Sequence, residues 1–478
     1  MAPRRNSVKT AALLAGLMAY QAEAGFNFTV VSEPIRLRYG QVHNRMMNAA
    51  RLPEDVIARY ADGSKQFAVS GFDVDMVRID ENGKETKVLL DDHYLHHYIL
   101  YLGRTDVMDE LTRTVHEDEH MARMLTGCHG MTHMGAEMFN DRLRRNSDKY
   151  GDGLKVFGSA AGAEYRANPQ RFDQPFRMLL TKPEVWSPIF HIINTNKHQT
   201  SKLPYSPLLE CPCTPQRKID VKNHTIDGKP PYPPIGCSKE FAATGNPSCQ
   251  LSTYVGGWRC CEDGVFVIDT DKECSDPQCS EEKEDVVYMK FTFYYEDAEP
   301  HARDLEGAAC CDVTSVVQGD ENIEYDIPKC PAGTPKEKCV HVAESVQPLA
   351  YYDTHPVSPS SDYKGSDLVD LAFAAPHLHL AGQSIQLIDD KTGEVMCEVH
   401  SSSNNTGGIM YGNGTTAGNE NGYLVGLSTC SWSGNTTRRY RRDHPFRSRA
   451  VYDATRGHTG VMSLWLMSVS PAVPDFVV

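Results

Sequence analysis

Ala375-Pro376-His377-Leu378-His379-Leu380-Ala381-Gly382 is a short apolar run that ends on glycine. Such a run reads as a β-strand, and in a strand residues two apart point to the same face. His377 and His379 then present two imidazoles side by side, enough to share one metal ion. The competing reading is a strand whose histidines face solvent. A second histidine cluster, near residue 96, bears on the choice.

That cluster lies in Tyr94-Leu95-His96-His97-Tyr98-Ile99-Leu100-Tyr101-Leu102, with His93 just before it. Aromatic and aliphatic residues of this kind favour strands. Adjacent strand residues point to opposite faces, so joint use of His96 and His97 needs a twist, a bulge or different ring nitrogens. Pro188–Asn194 places His191 in another apolar strand. Phe26–Ile35, Gln66–Val77, Val286–Tyr295, Gln383–Ile388, Tyr423–Leu427 and Ser463–Ser470 also read as strands. Asp80–Gly83 and Asp389–Gly393 read as turns. His458-Thr459-Gly460-Val461-Met462 leads into the last strand, where Met462 is ordinarily core packing.

Residues 105–150 are charged and interspersed with methionines and histidines, which suits helix or irregular structure better than sheet. Within them His116-Glu117-Asp118-Glu119-His120 matches a zinc-peptidase pattern. There two histidines one helical turn apart hold zinc and the glutamate His116-Glu117 supplies is the base. The flanks Asp109, Glu110 and Arg123 are polar and no third ligand is evident, which favours a solvated helix or loop.

With 478 residues, two or three domains are expected. Residues 1–24 read as a signal peptide: Arg4, Arg5 and Lys9, an apolar run from Ala11 to Tyr20, then Ala22-Glu23-Ala24 before Gly25. No later run is long enough to cross a membrane, so a secreted product is expected. Fifteen cysteines fit that route, and with an odd count at least one is unpaired or pairs between chains. Asn27, Asn223, Asn404, Asn413 and Asn435 are glycosylation sequons. The net charge is -15, and loss of the leader makes it two charges more negative. That balance argues against nucleic acid or an anionic membrane as partner. The boundaries expected are a β domain at 25–204, a Cys/Pro-rich disulfide-held linker or insert at 205–285, and a second β domain at 286–478.

His96-His97, His191, His377-x-His379 and Met462 together resemble the copper type II, ascorbate-dependent monooxygenases, which include the peptidylglycine and dopamine hydroxylating enzymes. The resemblance implies an all-β fold of two jelly-roll-like antiparallel β-sandwich domains. It also implies two copper ions, with ascorbate or a similar reductant. His96, His97 and His191 would hold the copper that stores an electron. His377, His379 and Met462 would hold the one that meets dioxygen and the substrate C–H bond; its thioether favours Cu(I). His93, His458 and Glu420 are secondary candidates near these ligands.

A closer resemblance is to the stress-up-regulated nodulin-like secreted proteins. It rests on Tyr94-Leu95-His96-His97, Gly256-Gly257-Trp258-Arg259-Cys260-Cys261, the His377/His379 strand, Gly418–Gly426 and His458–Met462. One departure from the hydroxylases matters. Their substrate-carboxylate clamp is an arginine, an asparagine and a tyrosine, where this chain has Ala375, Leu464 and Leu466. Peptides ending in glycine are therefore poor substrate candidates, and the substrate, small molecule or peptide, is unread. The competing functions are a non-catalytic extracellular stress or surface protein on the same scaffold, and the zinc peptidase through His116, Glu117 and His120.

Overall fold

The structure is a computed structural model describing residues 25–117, 153–159, 162–196, 198–199, 219–220, 225–226, 283–312, 325–327, 329–349, 368–401 and 407–473. The described chain is mostly strand, arranged as two β-sandwiches. Among the described residues, ladder pairings are antiparallel apart from Phe176–Leu180 with Arg303–Asp304.

In the first sandwich, one sheet runs in the order Phe26–Val31, Glu284–Asp297, Phe67–Ile79, Phe176–Leu180, Arg303–Asp304. The facing sheet runs Val42–Met46, Val185–Asn194, His93–Gly103, Leu154–Ser159. Glu284–Asp297 shows why the sheets close on each other. Its alternate residues Val287, Met289, Phe291, Phe293 and Tyr295 are buried, the period-two pattern of a half-buried strand. Phe291 stacks on Phe190 at 5.9 Å and meets Tyr98 at 5.5 Å across the sandwich. Each such side chain contributes about 1.5–3 kcal/mol of burial free energy. His93–Gly103 is buried along its whole length. Its other face, through Ile99 and Tyr101, packs on Val107, Met108 and Leu111 of the helix Thr105–Glu117.

The second sandwich stacks Glu306–Asp312, Ser463–Pro471, Leu368–Leu378 and Cys430–Ser431 on Val340–Pro348, Pro445–Asp453, Gly382–Asp389 and Val395–His400. Trp465, Leu371, Ile385, Leu387, Ala450 and Tyr452 fill its core. The disulfide Cys330–Cys339 closes the loop before Val340–Pro348, and Cys397–Cys430 ties Val395–His400 to Cys430–Ser431 between the two sheets. The turns expected at 80–83 and 389–393 join antiparallel strands, each with a glycine in the left-handed region.

The pairing redraws one expected boundary. Glu284–Asp297 lies between Phe26–Val31 and Phe67–Ile79, not in the second β domain expected at 286–478. Its alternating pattern fixed that it is a strand but not which sheet receives it, because both cores accept the same apolar face. Of the Cys/Pro-rich segment 205–285, only the short pair Ile219–Asp220 with Thr225–Ile226 and residues 283–285 are described.

The two sandwiches share an interface built on Leu368–Leu378. Ala374 and Leu378 join the second core, while Phe373 and Ala375 join the first. Phe373 meets Phe172 edge-on at 5.4 Å. Asp370, fully buried, accepts from Arg303 at 2.6 Å and from Arg439 at 2.8 Å.

Candidate metal centre

His96, His97 and His191 come together in the first sandwich. His97 stands directly opposite His191 on the neighbouring strand. The register then shifts, so that Ile192 pairs with Leu95 and His96 is the extra residue of a bulge. A bulge is one of the devices that turn two adjacent histidines to one side. Their Nδ1 atoms converge: His96 to His97 is 3.1 Å and His191 to His97 is 3.4 Å. Each ring offers a ligand nitrogen within 4.8 Å of the others, and all three residues are buried.

Three nitrogens bonded to one ion at 2.0–2.1 Å stand roughly 3.3–3.6 Å apart. The observed spacing is close to that. A single proton cannot satisfy three converging lone pairs, whereas a cation can. Burial pushes the His97 imidazole down to about 3, with a smaller push from His377. Burial first, then His96, His97 and His43, holds His191 well below its ordinary value. His97 and His191 are thus neutral at pH 7, the form that ligates.

His377 and His379 lie at the end of Leu368–Leu378, rings 5.1 Å apart and nearly perpendicular. Both are buried. His377 Nδ1 donates to Glu164 Oε1 at 2.6 Å, and its Nε2 is buried with no hydrogen-bond partner among the described residues. His379 Nδ1 is likewise buried and unpartnered among them. Burial, then His377 and His458, holds His379 well below its ordinary value. Met462 is buried. One hydroxyl links its backbone to that of His379: Tyr452 Oη accepts from His379 N at 3.2 Å and donates to Met462 O at 2.9 Å. Tyr94, Glu164, His379 and Tyr423 border a cavity with room for about one water molecule. Tyr94 also contacts the His96 ring at 6.4 Å, so it lies beside both clusters.

The secondary candidates divide. His458 is within electrostatic reach of His379. His93 sits 3.8 Å from Asp285, apart from the triad. Glu420 does not orient a histidine through any hydrogen bond described here. Its carboxylate accepts from Leu90 N at 3.1 Å and Gly418 N at 2.9 Å, with Arg166 at 3.8 Å, and so latches the two sandwiches together. The carboxylate hydrogen-bonded to a histidine of these clusters is Glu164, a residue that sequence reasoning does not single out. It is a lone acid in the small-residue run Ser159-Ala160-Ala161-Gly162-Ala163, with no spacing to mark it. Of the zinc-peptidase motif, His116 and Glu117 end the helix Thr105–Glu117, and His120 lies outside the described residues. Asn27, Asn413 and Asn435 are exposed; Asn223 and Asn404 also lie outside the described residues.

Residues 244–472 match the family described as stress up-regulated Nod 19, which supports the nodulin-like reading of the chain. The matched span carries His377, His379, Glu420, His458 and Met462, whereas His96, His97, His191 and Glu164 precede it. No curated protein matches the chain.

Proposed function

We propose that this protein is a secreted copper-dependent monooxygenase that hydroxylates a C–H bond with dioxygen and a reductant such as ascorbate. The observation that carries the reading is the convergence of the His96, His97 and His191 Nδ1 atoms at 3.1 and 3.4 Å. His377, His379 and Met462 are the proposed ligands of the second copper. Copper in such a pair of sites supplies one-electron redox chemistry and the activation of dioxygen.

The chain supplies the rest. The bulge at His96 aims two adjacent rings at one point. Burial keeps His97, His191 and His379 neutral and keeps bulk water from the ligands. Tyr452 holds the backbone of His379 beside that of Met462. Ala375, Leu464 and Leu466 lie on the His377 face, since Ala375 pairs with Leu466 and His377 with Leu464. That face favours an apolar group over a carboxylate. Two disulfides and three exposed sequons fit a secretory destination.

The test is metal analysis of the purified, reconstituted protein. Two coppers per chain, and ascorbate-driven oxygen uptake tied to a hydroxylated product, are expected. Met462→Ala should abolish product formation while the first copper stays bound. A wild-type protein that takes up no copper after reconstitution ends the proposal.

A further inference from the structure

The second cluster is held from outside its own sandwich. A short turn, Gly162–Asn168, belongs to the first half of the chain and lies against the end of Leu368–Leu378. It grips that end twice. Asn168 Nδ2 donates to Pro376 O at 3.1 Å, fixing the backbone just before His377. Glu164, itself 1 % exposed, takes the Nδ1 hydrogen of His377 at 2.6 Å. A carboxylate can only accept, so the proton is on Nδ1 and the lone pair is on Nε2. That Nε2 is buried and has no hydrogen-bond partner among the described residues. The turn also approaches closely. A Cβ at Gly162 would come within 2.9 Å of the Tyr94 hydroxyl and 3.6 Å of His377 Cε1.

We infer that Glu164 is a positioning residue of the second centre: it locks the tautomer and angle of His377 so that Nε2 is the metal-binding nitrogen. The second site is then a composite, with ligands from one sandwich and their orienting carboxylate from the other. A carboxylate behind a ligating imidazole raises the basicity of the ligand, and its loss typically weakens metal binding about 10- to 100-fold. This inference rests on the copper reading, and its test separates the two.

The probe is silver(I), a redox-inert stand-in for Cu(I), titrated into the full-length mature protein against a competing chelator. Wild type should bind two equivalents. Glu164→Ala should bind the first as wild type does and the second about 10- to 100-fold more weakly. Glu164→Gln, whose amide oxygen still accepts the Nδ1 hydrogen but carries no charge, should fall between them. Ser431→Ala is the control. It removes a different hydrogen bond between the halves, Ser431 to Asp173 at 2.6 Å, and should leave both silver affinities unchanged. Nitrogen NMR of silver-loaded wild type should place silver on Nε2 and the proton on Nδ1 of His377. This decides the matter even where a variant fails to fold. Silver on Nδ1, or a second equivalent bound by Glu164→Ala as tightly as by wild type, overturns the inference alone. A wild type that binds no silver overturns the copper reading and this inference with it.

Discussion

His97 is fully buried, and burial holds its imidazole down at about 3; His93 is pushed down by burial in the same way against the opposing pull of Asp285. The unfolded chain protonates histidine near 6.5. Between those values the unfolded state binds more protons than the folded one. Stability from these residues is therefore fully present above pH 6.5 and is lost as pH falls toward 3, by about 1.4 kcal/mol per pH unit for each histidine. Thermal melts of the metal-free protein should show the midpoint falling steadily from pH 6.5 to pH 4, and His97→Asn should flatten that slope. His191→Ala removes the partner directly opposite His97 and should lower bound copper from two to one per chain, read by metal analysis. The triad residues were legible because a His-His pair in a strand-forming run is rare and its third member lies in an equally apolar strand. Glu164 was not, since a lone buried acid carries no pattern along the chain and acquires its role only from the fold.

Among the elements, the bulge in His93–Gly103 and the turn Gly162–Asn168 do the positioning. Two adjacent histidines call for a twist, a bulge or different ring nitrogens, and the fold uses the bulge. Its place, with His96 as the extra residue, followed from the pairing of Ile192 with Leu95 and of His191 with His97. The turn depends on how closely the strand Leu424–Leu427 approaches it. A Cβ at Gly426 would stand 2.9 Å from Ala167 Cβ and 3.2 Å from Ala167 O, as well as 2.1 Å from the mobile end of Met410. Gly426→Ala should therefore push strand and turn apart and destabilise the fold by about 1–3 kcal/mol. Urea unfolding checks this, with metal binding at the His96/His97/His191 site expected to survive in the folded fraction.

At the scale of the molecule, the halves are joined by buried polar groups as well as by apolar contact. Burial alone would raise the Asp370 carboxyl, but hydrogen bonds from Arg439 and Arg303 outweigh it and hold the carboxyl below its ordinary value. Asp370→Ala leaves Arg303, itself buried, without its carboxylate and should cost about 3–5 kcal/mol, seen as a lowered unfolding midpoint. The all-β class was legible from strand patterning across the chain, but the sandwich that receives Glu284–Asp297 was not, because its partners lie some two hundred residues away in sequence. A fragment of residues 25–204 lacks that strand and should aggregate, whereas one running to 304 should fold; size exclusion and circular dichroism distinguish them. The same strand sets an order on biosynthesis. Residues 195–283 must be translated before the first core can close, a delay of roughly 4–18 s at ordinary elongation rates. Throughout that interval the sheet partners of Phe291 and Phe293 have left the ribosome with their apolar faces uncovered, which exposes the nascent chain to aggregation at this stage.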